Sequence, residues 1–140
     1  MINLYNFCSD PTNLPADNAF AAIASLGNTR RAFASAEPLI ALNGRVSHEY
    51  AIQYKKIRFP EGEPAMLRDC APIELEQYCV MCLQQPWPAA EAKIATDAEA
   101  SYMYAKQVLH QRFPQGEPVI SSAPYQWTHH YQRYFNCILA

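Results

Sequence analysis

Arg58-Phe59-Pro60-Glu61-Gly62-Glu63-Pro64-Ala65 returns further along the chain as Arg112-Phe113-Pro114-Gln115-Gly116-Glu117-Pro118-Val119. Agreement at Arg, Phe, Pro, Gly, Glu and Pro in one order is too dense for chance, so an internal repeat is the first hypothesis for the fold. Working outward, Pro86-Trp87-Pro88-Ala89-Ala90-Glu91 keeps the frame with tryptophan for phenylalanine, and Ala32-Phe33-Ala34-Ser35-Ala36-Glu37-Pro38 is a further copy. The anchoring aromatics are then Phe33, Phe59, Trp87 and Phe113, spaced 26, 28 and 26 residues apart.

Further columns follow in step. Glu37, Glu63, Glu91 and Glu117 stand four residues after the aromatic, and Ile40, Met66, Ile94 and Ile120 seven after it. Then come the pairs Tyr50-Ala51, Tyr78-Cys79, Tyr104-Ala105 and His130-Tyr131. The two extra residues of the second copy fall near Arg68 to Ile73, where a local loop change is expected.

Each copy, about 27 residues long, reads as a short helix A and a longer helix B. Pro38, Pro64 and Pro118 suit the first turn of helix A, where proline loses no needed donor and a carboxylate favours the helix dipole. Helix B carries Ser47, Tyr50, Ala51, Tyr54 and Ile57 in the first copy, and Ser101, Tyr104, Ala105, Val108 and Leu109 in the third. Those three- and four-residue spacings predict one core-facing stripe. The aromatic-Pro pair that follows ends helix B, because the residue before proline is driven from the α region.

A unit this small cannot bury its own apolar face, so the copies must share a core. The expected fold is all-α: tandem helix-loop-helix repeats stacked as a short α-solenoid-like bundle. The boundaries are 32–57, 58–85, 86–111 and 112–140, in one domain overall. Residues 1–31 form an N-terminal segment in which Phe20, Ile23 and Leu26, followed by Gly27, predict a capping helix from Asp17 to Leu26.

The pattern resembles the tandem Arg-(Phe/Trp)-Pro-Glu-(Gly/Ala)-Glu-Pro and Tyr-x-Tyr-Ala helical repeats of poorly characterised phage and bacterial proteins. Arg58 to Pro64, Trp87 to Ala92, Ser101 to Ala105 and Arg112 to Pro118 carry the resemblance, which spans roughly residues 32 to 138 as a repeat pattern. The fourth copy departs from it, with His130-Tyr131 in place of Tyr-Ala. What the resemblance implies is a phage-associated helical protein, a small effector that inhibits a host factor.

Composition narrows the function classes. Eleven Lys and Arg against 13 Asp and Glu give a net charge of −2, which offers no electrostatic footprint for nucleic acid or an anionic membrane. The start of the chain has no basic region ahead of its apolar residues, and no apolar run is long enough for a membrane span, so a cytoplasmic protein is expected, in the host cytoplasm if phage-encoded. Five irregularly spaced cysteines, Cys8, Cys70, Cys79, Cys82 and Cys137, argue for reduced thiols rather than a disulfide framework.

Several residues invite chemistry. Cys79-Val80-Met81-Cys82 has the spacing of a zinc or redox pair. The repeat nevertheless puts Cys79 in the column of Ala51 and Ala105, and Cys82 in that of Tyr54, Val108 and Tyr134, which are core positions. His129 and His130 are adjacent and point to different helix faces. His130 reads as a stand-in for the core tyrosine. The glutamate column suggests acid/base work, but a residue present once per copy is better explained by capping or by pairing with Arg58 and Arg112. Arg30, Arg31, Lys55, Lys56 and Arg58 among tyrosines read as a solvated charged face. No catalytic residue, metal or cofactor is assigned.

The leading expectation is a non-catalytic module that binds a protein partner. Its candidate contacts are residues that break the repeat: Trp127, His129, Tyr125 and Arg133, with the insertion around Arg68, Asp69 and Cys70. The alternatives are a small Cys/His-dependent enzyme and a nucleotide- or RNA-binding module. The apolar ending Tyr134-Phe135-Asn136-Cys137-Ile138-Leu139-Ala140 predicts either a fold-back or a homodimer through the C-terminal helix, with the homodimer preferred.

Overall fold

The structure, a computed structural model, describes residues 36–140. Among the described residues there are eight α-helices and no strand, so the chain is all-α. The expected capping helix and the anchor Phe33 lie outside them. Two compact units, Met1–Cys70 and Ala71–Ala140, divide the chain between helix A and helix B of the second repeat.

In the first unit, α1 (Glu37–Ile40) and α2 (Gly44–Tyr50) are followed by a 3-10 turn (Pro60–Gly62) and α3 (Glu63–Asp69). The second unit holds α4 (Pro72–Tyr78), α5 (Pro88–Ile94), α6 (Ala98–Tyr104), α7 (Glu117–Ser122) and α8 (Tyr125–Phe135). The residues inserted in the second repeat let α3 continue to Asp69, where α1 stops at Ile40.

Local sequence explains the starts. Proline occupies the first turn of α1, α3, α4, α5 and α7. Asn43 Oδ1 accepts the Val46 N–H at 3.1 Å, and Asp97 Oδ1 accepts the Ala100 N–H at 2.8 Å, each satisfying a donor that a helix N-terminus leaves open. Ala71 has no such acceptor; there Glu74 Oε2 reaches back to take the Ala71 N–H at 2.6 Å.

The ends are equally regular. Helices α2, α4 and α6 each run on into a π turn, at Ala51–Lys55, Cys79–Leu83 and Ala105–Leu109. Lys56, Gln84 and His110 then adopt the left-handed conformation, with φ of 55°, 52° and 53°. This reversal swings the anchor aromatic, three residues on, back under its own helix. Phe59, Trp87 and Phe113 are all buried, and each ring meets the tyrosine nine residues earlier edge-on, at 5.4, 5.3 and 5.2 Å between centroids. Ile57, expected on the core stripe by its spacing, lies beyond the reversal and is exposed.

Tyr50, Tyr78, Tyr104 and Tyr131 are fully buried. The Tyr50, Tyr104 and Tyr131 hydroxyls donate to Glu37, Glu91 and Glu117 at 2.9, 2.9 and 2.8 Å. The Tyr104 and Tyr131 hydroxyls also accept the anchor N–H groups of Trp87 and Phe113, at 2.9 and 2.8 Å. Two turns of helix are thereby tied to the loop before them without leaving a buried polar group open. Ser47, Ser101 and Thr128 add a second tie, each hydroxyl donating to the carbonyl of Ile40, Ile94 or Ile120.

These bonds set the alignment of the fourth repeat. Tyr131, not His130, is its core tyrosine, and Thr128 stands three residues before it as Ser47 stands before Tyr50. One residue is inserted between α7 and α8, so Phe135 replaces Tyr134 in the column of Cys82. His130 is exposed, and so is Tyr134.

The repeated glycine has a packing cause. A Cβ on Gly62 would lie 2.7 Å from Ser47 Cβ, and one on Gly116 would lie 2.6 Å from Ser101 Cβ. Gly44 is tighter still, since its Cβ would fall 2.1 Å from the Ala65 carbonyl oxygen where α2 crosses α3.

Candidate interaction surface

The fourth repeat differs from the others in what its helix B exposes. Counting from the buried tyrosine, the residue two places earlier is His48, Glu76, Tyr102 and His129 in turn. The first three are 7%, 3% and 8% exposed, whereas His129 is exposed.

Inside the second unit, the covering of Tyr102 can be followed atom by atom. Trp127, His130 and Tyr134 of α8 bring their rings to 6.2, 6.2 and 6.4 Å from that of Tyr102. Lys106, one turn on from Tyr102, holds Nζ 5.7 Å from the Tyr102 ring and 5.1 Å from the Tyr134 ring, within cation–π range. Helix α8 therefore has two faces. Trp127, His130 and Tyr134, at helical positions i, i+3 and i+7, look toward α6. Tyr125, His129 and Arg133, at i, i+4 and i+8, share the opposite face.

On that outer face Tyr125 is 78% exposed and stacks on His129 at 5.3 Å, its hydroxyl 3.3 Å from Nδ1. Arg133 is exposed one turn further on. Neither a family model nor a curated protein nor a solved structure matches the chain.

Of the residues singled out in the sequence, the structure brings Tyr125, His129 and Arg133 together on one face and half-buries Trp127 on the other. Arg68 and Asp69 belong to the first unit and are engaged in holding it. Arg68 grips Asp69 with two bonds, of 2.7 and 2.8 Å, and donates to the Leu42 carbonyl at 3.0 Å. Asp69 Oδ2 accepts the Gly44 N–H at 2.8 Å. Cys70, named with them as a surface contact, is buried, its thiol 3.3 Å from the Gly44 carbonyl oxygen; the close approach of α2 to α3 encloses it. The cluster of Tyr102, Lys106 and Tyr134 does not stand out in the sequence. Its signal is the position two before each core tyrosine, which only the corrected alignment reveals.

The groups that invited chemistry are otherwise occupied. Cys79 and Cys82 are buried, and burial pushes the Cys82 thiol up to about 11, away from the thiolate that nucleophilic or metal chemistry needs. Glu63 and Glu117 form two-point pairs with Arg58 and Arg112, at 2.7 and 2.9 Å and at 2.7 and 2.8 Å. The Arg112 hydrogen bond holds the Glu117 carboxyl below the usual range. Glu37 is bonded to Tyr50 and, at 2.8 Å, to Lys55. Among the described residues, no three His, Cys, Asp or Glu side chains gather as a metal site, and no helix is long and apolar enough to cross a membrane.

Glu76 stands apart. It is 3% exposed, with Oε1 lacking a hydrogen-bond partner among the described residues. Burial, then the like charge of Glu99, raises its carboxyl to about 7.

Proposed function

We propose that the chain is a non-catalytic binding module: its repeats stack as a short solenoid, and the outer face of α8 receives a protein partner. The single observation that carries this is the exposure of His129 at a position that is buried in the three preceding repeats. A position buried in three repeats and exposed in the fourth offers a docking point, and Tyr and Arg beside it are the side chains that most often anchor interfaces. The engaged glutamates and the buried thiol of Cys82 support the absence of chemistry. The resemblance to phage repeats supports a phage-borne effector that occupies a host factor in the host cytoplasm.

The test is capture from a host extract with the full chain as bait, followed by titration of the recovered, purified partner. Tyr125→Ala, His129→Ala and Arg133→Ala are each expected to weaken that binding about tenfold or more, a loss of about 1.4 kcal/mol. Circular dichroism should show an unchanged fold. A partner that binds all three variants as tightly as the parent chain overturns the assignment of this face.

A further inference from the structure

We infer that the partner meets α8 as an α-helix carrying aromatic side chains along one face, in the place that a further helix B would take. This rests on the binding function proposed above and specifies the chemistry of its partner.

The α6–α8 contact shows what such a face is built to receive. On α6 the receiving elements are a flat ring, Tyr102, and a cation one turn on, Lys106. The ridge laid on them is Trp127, His130 and Tyr134, whose last ring lies under the Lys106 ammonium. Aligning the fully buried Tyr104 with the fully buried Tyr131 carries Tyr102 onto His129, Lys106 onto Arg133 and Ala98 onto Tyr125. The receiving pattern is thus repeated on α8: a flat ring, then a cation four residues later on the same face.

Two differences sharpen it. Arg133 supplies a planar guanidinium, which seats an aromatic ring better than an ammonium does. Tyr125, stacked on His129 at an interplanar angle of 21°, extends the flat platform by another turn. A ridge of three rings at i, i+3 and i+7 spans about 10 Å at the 1.5 Å rise of a helix. An extended strand would spread the same three residues over more than twice that length and alternate their sides. The face therefore selects a helix over an extended peptide, and rings over aliphatic side chains.

The experiment titrates the full chain into fluorescein-labelled, hydrocarbon-stapled 14-residue helices on an Ala/Glu/Lys background. One carries Trp, His and Tyr at i, i+3 and i+7; the other carries the same three residues at i, i+2 and i+5, so that they do not share a face. Saturable binding of the first, at least tenfold tighter than the second, is expected. His129→Ala and Arg133→Ala should each weaken the first about tenfold while the helical dichroism and melting temperature stay put. Equal binding of the two peptides, no saturation by the first up to millimolar, or indifference to both substitutions overturns the inference. A recovered partner that depends on Tyr125, His129 and Arg133 yet binds through an extended segment removes the helix and leaves the docking face. A partner indifferent to those residues removes both. Self-association of the chain by sedimentation, abolished by Arg133→Ala, assigns the face to a second copy and likewise removes the inference.

Discussion

Replacing Glu76 by glutamine should stabilise the second unit once the pH rises above about 4.5, and most fully at pH 7 and beyond. The carboxyl is enclosed at 3% exposure, Oε1 has no hydrogen-bond partner among the described residues, and Glu99 adds a like charge. A folded-state value of about 7 against an ordinary 4.5 means that the native unit holds this proton more tightly than the unfolded chain does. Stability is then full below about pH 4.5, falls as pH climbs toward 7, and stays low beyond it. The loss amounts to about 3 kcal/mol once the group is ionised. An amide at this position keeps the shape of the carboxyl and cannot take up the charge. Both tryptophans, Trp87 and Trp127, lie in this unit, so their fluorescence reports its unfolding selectively. In urea, with a slope of roughly 2 kcal/mol per molar, Glu76→Gln should move the midpoint up by about 1–1.5 M at pH 8 and by almost nothing at pH 4.5. Glu99→Gln should recover a smaller part of the same gain. Parent and variant curves that run parallel from pH 4.5 to 8 would refute the reasoning, for the carboxylate would then be solvated or paired.

Two further substitutions probe the repeat itself. Tyr131→Phe strips the hydroxyl that accepts the Phe113 N–H and donates to Glu117, and should cost the second unit about 1–3 kcal/mol in a tryptophan-monitored urea titration; a cost near zero would mean that the tie is not made. Gly44→Ala drives a methyl against the Ala65 carbonyl and should destabilise the first unit by about 2–3 kcal/mol, read as faster amide exchange in α2 and α3; unchanged protection there would show that the crossing has room to give.

Much of this architecture is visible in the chain because the repeat makes each copy a check on the others. Helix A follows from proline and glutamate at fixed distance from an aromatic, helix B from tyrosine and a small residue, and both recur often enough to outweigh local ambiguity. Two failures have physical causes. Ile57 continues the helical spacing on paper, but the chain reverses at Lys56 with a φ of 55°; without a glycine there, nothing in composition marks the turn. In the fourth repeat, His130 and Tyr131 are adjacent and either could fill the aromatic column. The deciding residue is Thr128, a hydroxyl three places before Tyr131 and in the role of Ser47 and Ser101. The proposed interaction face is half legible: Tyr125, His129 and Arg133 stand out as departures from the repeat, but which face of α8 they share depends on that single inserted residue.

The distribution of constancy and change along the repeats argues where specificity resides. Everything that closes a repeat on itself recurs almost unaltered: the tyrosine hydroxyl on the glutamate, the Ser or Thr hydroxyl on the isoleucine carbonyl, the edge-on aromatic pair. What varies is the column two residues before the tyrosine, which holds His48, Glu76, Tyr102 and His129 in turn. If that column were merely filler it would be small and apolar, as its neighbours Ala51, Cys79 and Ala105 are. Instead it carries an imidazole, a buried carboxyl and two more rings, groups whose partners must match in chemistry and not only in volume. Tyr102 shows such a match, with the four rings of Trp127, His130, Tyr131 and Tyr134 and a cation assembled around it. His129 presents the same kind of demand to solvent. On the function proposed above, His129, open beside Tyr125 and Arg133, recognises an incoming helix by the ring-and-cation arrangement that encloses Tyr102 within the second unit.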